Sequence, residues 1–552
     1  MSDYAQEVAS FRWQVPERFN FARDTFDAHA QTTPERMAML WVDDEGHEQK
    51  ISFGRFRERS RRLASALLAL GLRPGDRLLL LLPRRVAWWE SVLAALRAGV
   101  VFSPGTTQLT ARDIAYRLRA AEVAAVITDP ENAPKVDEAL AEAGGAGGGW
   151  NGLRARILVE GEREGWLGYE ELVEGGDASF EGSDTRADDP AVLFFTSGTT
   201  GYPKMTLHTQ ASNGIGHYVT GAYWLDLKPD DLHWNLSDTG WAKAAWSSFF
   251  GPWIMGAAVF VHHTARFNAR RTLEMLARYP VTTLCAAPTN YRMLVQEDLS
   301  AFRFPSLRHC VAAGEPLNPE VIETWRRATG LTIRDGYGQT ETVVCLANFP
   351  CTEVRPGSMG KPVPGFDVAV IDEEGRELPP GQEGDVAIRV RPERPVGLFR
   401  EYWKDPERTA QVFRGDWYLT GDRAYRDEDG YFWFVGRADD VILSAAYRIG
   451  PFEIESVLLE HPAVAESAVV GSPDPVRGQI VKAFVVLARG WEPSEELARQ
   501  LQEFVKERTA PYKYPREIEF VDDLPKTVSG KIRRVELRQR EMERKGGAAP
   551  AR

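Results

Sequence analysis

Through most of its length this chain alternates short apolar runs with amphipathic stretches, and that alternation restricts the fold more than any other feature. Arg77 to Leu82 has the length of a buried strand. Val86 to Ala98 puts Trp88, Val92, Leu93 and Leu96 on one side of a helix, and Val100 to Phe102 and Val123 to Thr128 repeat the strand signal. Gly99 ends the helix, because glycine takes the positive φ that a helix cap needs. Strands spaced by helix-length segments connect as parallel β-α-β units, so α/β layers with mostly parallel sheets are predicted. The run from Gly144 to Gly149 reads as a surface loop inside this region. After about residue 360, proline, glycine and short runs such as Val368 to Ile371 and Asp385 to Val390 predict a smaller β-rich subdomain. Beyond Arg437, a helix over Phe452 to Glu460, strands over Ala465 to Val470 and Ala483 to Leu487, and a helix over Leu497 to Glu507 predict a compact α/β unit.

At 552 residues and 43% hydrophobic content, the chain holds enough core material for two or three domains. Its formal net charge of −12 opposes nucleic acid and anionic membranes at long range. Cys285, Cys310, Cys345 and Cys351 form no CxxC pair and read as buried free thiols. His262 and His263 follow the apolar run Ala257 to Val261 and read as a strand end. No basic segment followed by an apolar stretch opens the chain, and Leu78 to Leu82 is too short to span a bilayer. The expectation is a soluble, cytoplasmic protein without membrane or nucleic-acid partners. A homo-oligomer is left open.

Four segments carry chemistry. In the first, an apolar strand, Ala191 to Phe195, runs into Thr196-Ser197-Gly198-Thr199-Thr200-Gly201-Tyr202-Pro203-Lys204. Glycines let backbone N–H groups close on phosphate oxygens, hydroxyls add donors, and the lysine adds charge. It is not a GxxxxGK[ST] P-loop, since Lys204 follows proline and precedes Met205. The second is Asp335-Gly336-Tyr337-Gly338-Gln339-Thr340-Glu341, where the glycines permit close approach, Tyr337 offers a ring to a purine and Glu341 a carboxylate to Mg²⁺. The third joins Asp422 to Arg437, an acceptor for ribose hydroxyls and a donor beside it. The fourth is Pro525-Lys526-Thr527-Val528-Ser529-Gly530-Lys531 near the C-terminus. Each alone is equally a turn, a surface ion pair or a basic tail.

Taken together and in this order, the four segments resemble the adenylate-forming (AMP-binding) superfamily over nearly the whole chain. Ser237-Asp238-Thr239-Gly240-Trp241, Ala287 to Leu294, Ser472 to Gly478 and Ala510 to Pro515 bring the likeness nearest to medium-chain acyl-CoA synthetases. The resemblance implies an N-terminal domain over residues 1–437, a mobile C-terminal lid over 438–552, and a hinge near Asp439. It implies ATP, Mg²⁺ and coenzyme A as cofactor and co-substrates, with a small carboxylic acid as the other partner. Catalytic roles fall on Lys531, Glu341 and Thr196. Gly314-Glu315-Pro316 would line the adenine pocket. Ala445, Ala446, Tyr447, Arg448, Arg477, Tyr512, Lys513 and Tyr514 would face CoA, with Ala446 standing where relatives commonly have glycine. Trp241 and the run Phe249 to Ala258 are candidates to wall the acyl pocket or to be core. Medium-chain or branched aliphatic acids come first, aryl acids second, and acetate or propionate third. The rival readings are a carrier-loading adenylation domain, a luciferase-like oxidase, and a non-catalytic nucleotide-binding regulator.

Overall fold

A computed structural model describes residues 1–144, 152–196, 203–444, 447–510, 512–527 and 531–545. Six parallel strands form the middle of the largest sheet, in the spatial order Ile333–Tyr337, His309–Ala313, Thr283–Ala286, Leu232–Asn235, Ala258–His263 and Met37–Asp43. The antiparallel strand Glu48–Ser52 closes one edge. At the other edge the sheet turns antiparallel and continues through Leu346–Ala347, Ser358–Pro362, Phe432–Arg437, Trp417–Arg426, Glu383–Arg389 and Val368–Ile371. The β-rich region after residue 360 is thus hydrogen-bonded onto the parallel sheet and not set apart from it. Its short connections allow only antiparallel pairing.

A second sheet is parallel through Val101–Pro104, Arg77–Leu81, Val123–Thr128, Ala155–Leu158 and Leu167–Gly168. It ends in the antiparallel pair Pro190–Thr196 and Lys204–Thr209, with Thr196 opposite Lys204, and then Glu401–Tyr402. The helix Val86–Ala98 is buried from Ala87 to Ala98 on every side, not along the single predicted stripe. Its side chains share one core cluster with strands of both sheets. Arg97 is tolerated there because it meets Asp27 through bonds of 2.7 and 3.0 Å. Gly99 caps this helix at φ 71°, as predicted.

The small C-terminal domain is built on a long hairpin, Val464–Asp474 with Gly478–Leu487. Along the free edge of Gly478–Leu487, Ile442–Ser444 pairs at its start and carries Tyr447–Ile449, and Glu517–Phe520 pairs further along. The helices Pro451–Leu459 and Glu495–Arg508 cover one face, matching the predicted elements to within a few residues. Asn318 of the large domain donates to Ser456 of this helix pair at 3.2 Å, so the two domains touch. Cys285, Cys310 and Cys345 are buried as expected, but Cys351 is exposed. It sits in the loop after Leu346–Ala347, which no layer covers. No helix among the described residues is long and apolar enough to cross a membrane. The expected loop at Gly145–Gly149 lies outside the described residues.

Candidate active site

The predicted nucleotide motifs meet at the C-terminal ends of adjacent parallel strands, where open α/β sheets place ligands. The strand His309–Ala313 ends at Gly314, whose φ of 105° excludes most side chains. Glu315 follows and accepts from Thr289 Oγ1 at 2.8 and 3.0 Å and from Arg292 Nη2 at 3.1 Å. Pro316 is half-buried next to it. Thr289 and Arg292 were legible only as marks of resemblance. Their work of fixing Glu315 appears with the helix Pro288–Leu294, which puts both on one face.

The neighbouring strand, Ile333–Tyr337, delivers Asp335, Gly336 and Tyr337. Burial pushes the Asp335 carboxyl well above its ordinary range, and its Oδ1 accepts from Gly336 N at 3.0 Å. A Cβ on Gly336 would lie 2.5 Å from the Trp224 ring, and one on Gly338 would lie 2.5 Å from the Val343 carbonyl and 2.9 Å from Trp246. Both glycines are therefore required by packing as well as by ligand approach.

Asp422 is buried and gathers three protein donors. Tyr337 Oη at 2.5 Å and Gln339 Nε2 at 2.7 Å reach Oδ2, and Arg437 Nη1 reaches Oδ1 at 3.0 Å. Gln339 also donates to the Thr420 carbonyl at 2.8 Å and accepts from Tyr418 Oη at 3.0 Å. Burial raises the Asp422 carboxyl, with Arg437 pulling the other way. Burial opposes the Arg437 charge too, but Asp422 and Asp439 outweigh it and the guanidinium pKa is raised. The Asp422 carboxylate, expected to accept ribose hydroxyls, also fixes Tyr337, Gln339 and Arg437. The ring of Tyr337 is thereby pinned at its hydroxyl end. Asp439 lies beside the same guanidinium, its Oδ1 at 3.7 Å.

Glu341 and Thr340 are held from the second sheet. Tyr402 Oη donates to Glu341 Oε1 at 2.7 Å, and Phe399 N donates to the Glu341 carbonyl at 2.7 Å. His208 Nε2 donates to the Thr340 carbonyl at 2.7 Å while Nδ1 faces Ser212 Oγ at 3.1 Å. Lys204 lies over the Tyr402 ring at 5.1 Å, and burial lowers its pKa although Glu341 acts to raise it. Thr196 pairs with Lys204 across the hairpin. Ser197, Gly198, Thr199, Thr200 and Gly201 lie outside the described residues. His208 and Tyr402 were missed in the sequence. A lone histidine and a lone tyrosine give no signal until strand pairing sets them beside the Thr340-Glu341 turn.

On the small domain, Lys531 is tied to Thr527. Thr527 N donates to the Lys531 carbonyl at 2.7 Å, Lys531 N donates to Thr527 Oγ1 at 3.1 Å, and Lys526 bridges to Ile532. Lys531 is one of the charges acting on Lys243, whose Nζ donates to the Ala313 carbonyl at 2.7 Å. Burial lowers the Lys243 pKa, Cys285 and Glu315 oppose that, and Lys531 adds to it. The Lys243 ammonium thus lies at the end of the strand that leads into Gly314, while Lys531 is exposed on the small domain. Lys243, within the run Trp241-Ala242-Lys243, is a further residue the sequence reading passed over.

Trp241 is half-buried at the start of the helix Ala242–Ala245. The run after it is core: Phe249, Phe250 and Trp253 are fully buried in an aromatic cluster with Phe21, Phe26 and Phe56, so it does not wall a pocket. On the small domain, Tyr447 and Tyr512 stack at 4.1 Å and 10°, and both are exposed. Lys513 Nζ is 2.5 Å from Glu453, and the Arg477 backbone is held by Asp474 at 2.8 Å. Tyr514 packs into that domain's core and accepts from Arg516 at 3.2 Å, so it supports the face and does not belong to it. Ala445, Ala446 and the Arg448 side chain lie outside the described residues.

A fold of this kind, with these motifs on a large layered α/β domain and a small C-terminal one, defines an adenylate-forming enzyme. The family model described as "AMP-binding enzyme" matches residues 26–403, and "AMP-binding enzyme C-terminal domain" matches 453–531. The chain belongs to the AMP-binding enzyme family. It is 51% identical over 549 residues to "Acyl-coenzyme A synthetase ACSM3, mitochondrial" of Mus musculus, covering 98% of this chain and 93% of that relative. It is 50% identical to "Acyl-coenzyme A synthetase ACSM4, mitochondrial" of Homo sapiens, covering 96% and 91%. Among solved structures it is similar to the anthranilate CoA ligase AuaEII in complex with anthranoyl-AMP, with TM-score 0.87 and 31% identity over 96% of this chain and 99% of that one. The benzoate CoA ligase from Burkholderia xenovorans LB400 gives TM-score 0.82 and 33% identity over 94% and 100%. The expected cytoplasmic setting does not stand, since relatives matching nearly the whole chain carry mitochondrial names.

Proposed function

We propose that this chain is an ATP-dependent acyl-CoA synthetase that activates a medium-chain carboxylic acid as its acyl-adenylate and passes the acyl group to coenzyme A. The observation that carries the reading is the gathering of the nucleotide motifs, with Glu315 held by Thr289 and Arg292, Tyr337 joined to Asp422 and Glu341 joined to Tyr402. A carboxylate and a triphosphate repel, by about 4 kcal/mol for one pair of unit charges at ~4 Å and an effective dielectric near ~20. The Lys243 and Lys531 ammonium groups, brought to the junction, offset that repulsion and stabilise charge as the carboxylate oxygen attacks the α-phosphorus and pyrophosphate leaves. Glu315, held by Thr289 and Arg292, shapes the adenine side, and Tyr337, pinned by Asp422, offers its ring to the base. Thr196 and Lys204, paired across the second sheet, would meet the departing phosphates.

Mg²⁺ fits the Glu341 carboxylate. Glu341 is buried, one oxygen is taken by Tyr402, and the other is left for a cation completed by phosphate oxygens. When bound, the ion would neutralise charge on the leaving pyrophosphate. Tyr402→Phe removes the bond that orients Glu341. A neutral–charged hydrogen bond of this type contributes about 1.5 kcal/mol, so the Mg²⁺ concentration for half-maximal exchange is expected to rise about tenfold. An unchanged Mg²⁺ dependence would remove Glu341 from the metal's shell.

In the second half-reaction the small domain turns about a hinge at Asp439, dividing residues 1–437 from 438–552. Lys531 withdraws, and the face carrying Ala445, Ala446, Tyr447 and Arg448 meets the cleft, with Arg477, Tyr512 and Lys513 toward the CoA nucleotide. The thiolate attacks the acyl carbon, and AMP leaves with its electron pair on the phosphate oxygen. An acid-dependent ATP–pyrophosphate exchange panel, followed by CoA-dependent AMP release, tests the whole. Hexanoate and octanoate are expected to exceed benzoate by about tenfold and acetate by more, since each buried methylene contributes roughly 1–3 kcal/mol to discrimination. A panel led by acetate, or AMP release only with a carrier protein, would overturn the reading.

A further inference from the structure

A second cleft lies off the nucleotide motifs, at the C-terminal ends of the strands Leu232–Asn235 and Ala258–His263. It is open to solvent, and each of its charged side chains is an arginine: Arg84, Arg266 and Arg271. Arg84 donates to the Leu236 carbonyl at 2.9 Å. Among the described residues neither Arg84 nor Arg266 has a carboxylate within 4.0 Å. Burial lowers the Arg84 pKa, opposed only by Asp238. Leaving a guanidinium desolvated and unpaired is costly unless an anion joins it. Arg271 is the partnered member, with Glu274 at 3.4 Å and Asp44 at 3.9 Å. His262 contributes a buried ring, with the Asp44 carboxylate 3.0 Å from its Nε2. The cleft also takes in Asn268, the N-cap of the ten-residue helix Ala269–Arg278, whose dipole adds positive potential.

We infer that this cleft binds a phosphomonoester, held by Arg84, Arg266 and Arg271 at the start of the helix Ala269–Arg278. Planar guanidinium forks match phosphate oxygens in pairs, and a dianion satisfies more than one of them. Arg84 holds the carbonyl of Leu236, from which the chain runs directly into Ser237-Asp238-Thr239-Gly240-Trp241, so occupancy bears on the segment that presents Trp241. The phosphomonoester is either the terminal phosphate of the CoA co-substrate or that of a separate phosphorylated metabolite.

Phosphorus-31 NMR titration of the full chain with inorganic phosphate, an acyl-sulfamoyl-adenosine without a phosphate group saturating the nucleotide site, tests the cleft without turnover. The double variant Arg266→Gln/Arg271→Gln is chosen because Arg266 is exposed and Arg271 half-exposed, so folding is spared. Phosphate affinity is expected to fall at least tenfold in the variant, with the thermal midpoint and pyrophosphate exchange unchanged. Equal phosphate binding by the two proteins, or none by either, would overturn the inference. Given loss in the variant, steady-state kinetics separate the sources. A roughly tenfold higher KM for CoA with no change for dephospho-CoA assigns the CoA phosphate. Any other CoA response assigns a separate phosphomonoester. Failure here leaves the ligase reading intact, because no step of it uses these arginines.

Discussion

Lys531→Ala is expected to lower acid-dependent ATP–pyrophosphate exchange by about 10² to 10³, the loss typical of one preorganised donor at a developing charge. The same protein, given synthetic acyl-AMP and CoA, should form acyl-CoA at a rate within about threefold of the parent, since an interaction confined to one transition state leaves the other untouched. The asymmetry follows from where the residue sits. The Lys531 backbone is fixed by its own hydrogen bonds to Thr527, and by Arg534 beyond it, which grips Glu455 through bonds of 2.9 and 2.6 Å. Alanine therefore removes the amine and leaves the arm. Lys243 stays in place on the Ala313 carbonyl and keeps part of the positive potential, which sets the loss nearer 10² if it faces the carboxylate. Equal losses in the two half-reactions would mean that Lys531 holds the domain and not the reacting groups.

What could be read from the residues divides along a physical line. Elements whose signal is local came through. The helix Val86–Ala98 and the strand Val123–Thr128 were predicted to the residue, because apolar length and a terminal glycine are properties of the segment itself. The motifs around Asp335–Glu341, Asp422 and Arg437 were visible as groups, because glycines and charges cluster in sequence there. Properties that depend on which strands become neighbours did not come through. Nothing local shows that the β-rich region continues the parallel sheet, or that the helix Val86–Ala98 is buried on all sides between two sheets. The same blindness covers the site. His208, Tyr402, Thr289 and Arg292 are ordinary residues until the fold sets each against a motif residue. Asp422 was legible as an acceptor but not as one already engaged by three donors, and Tyr514 as an aromatic but not as one turned inward.

His208 and its counterparts also set how the fold meets acid. Acidification from pH 7 to pH 5 is expected to remove about 6 kcal/mol of unfolding free energy through three buried histidines alone. Burial holds the pKa of His208 to about 4, of His233 to about 3 and of His309 to about 4. Each ring is neutral in the folded protein and engaged: His208 with Ser212 and the Thr340 carbonyl, His233 with Thr283 at 2.6 Å, and His309 with the Trp224 carbonyl at 2.7 Å. In the unfolded chain each protonates near its ordinary pKa of about 6.5. Between that value and the folded pKa, the unfolded state binds more protons, so stability is complete above about pH 6.5 and falls as pH drops toward 4. A folded pKa of about 4 puts the loss at about 2 kcal/mol per ring by pH 5. Urea unfolding followed by tryptophan fluorescence should therefore show the midpoint dropping steeply below pH 6.5. His208→Asn tests one ring separately. It is expected to flatten that slope by about one part in three, while also loosening Thr340 and so weakening exchange at every pH. A midpoint that stays level from pH 7 to pH 5 would show that these rings are protonated, or reached by water, inside the folded protein.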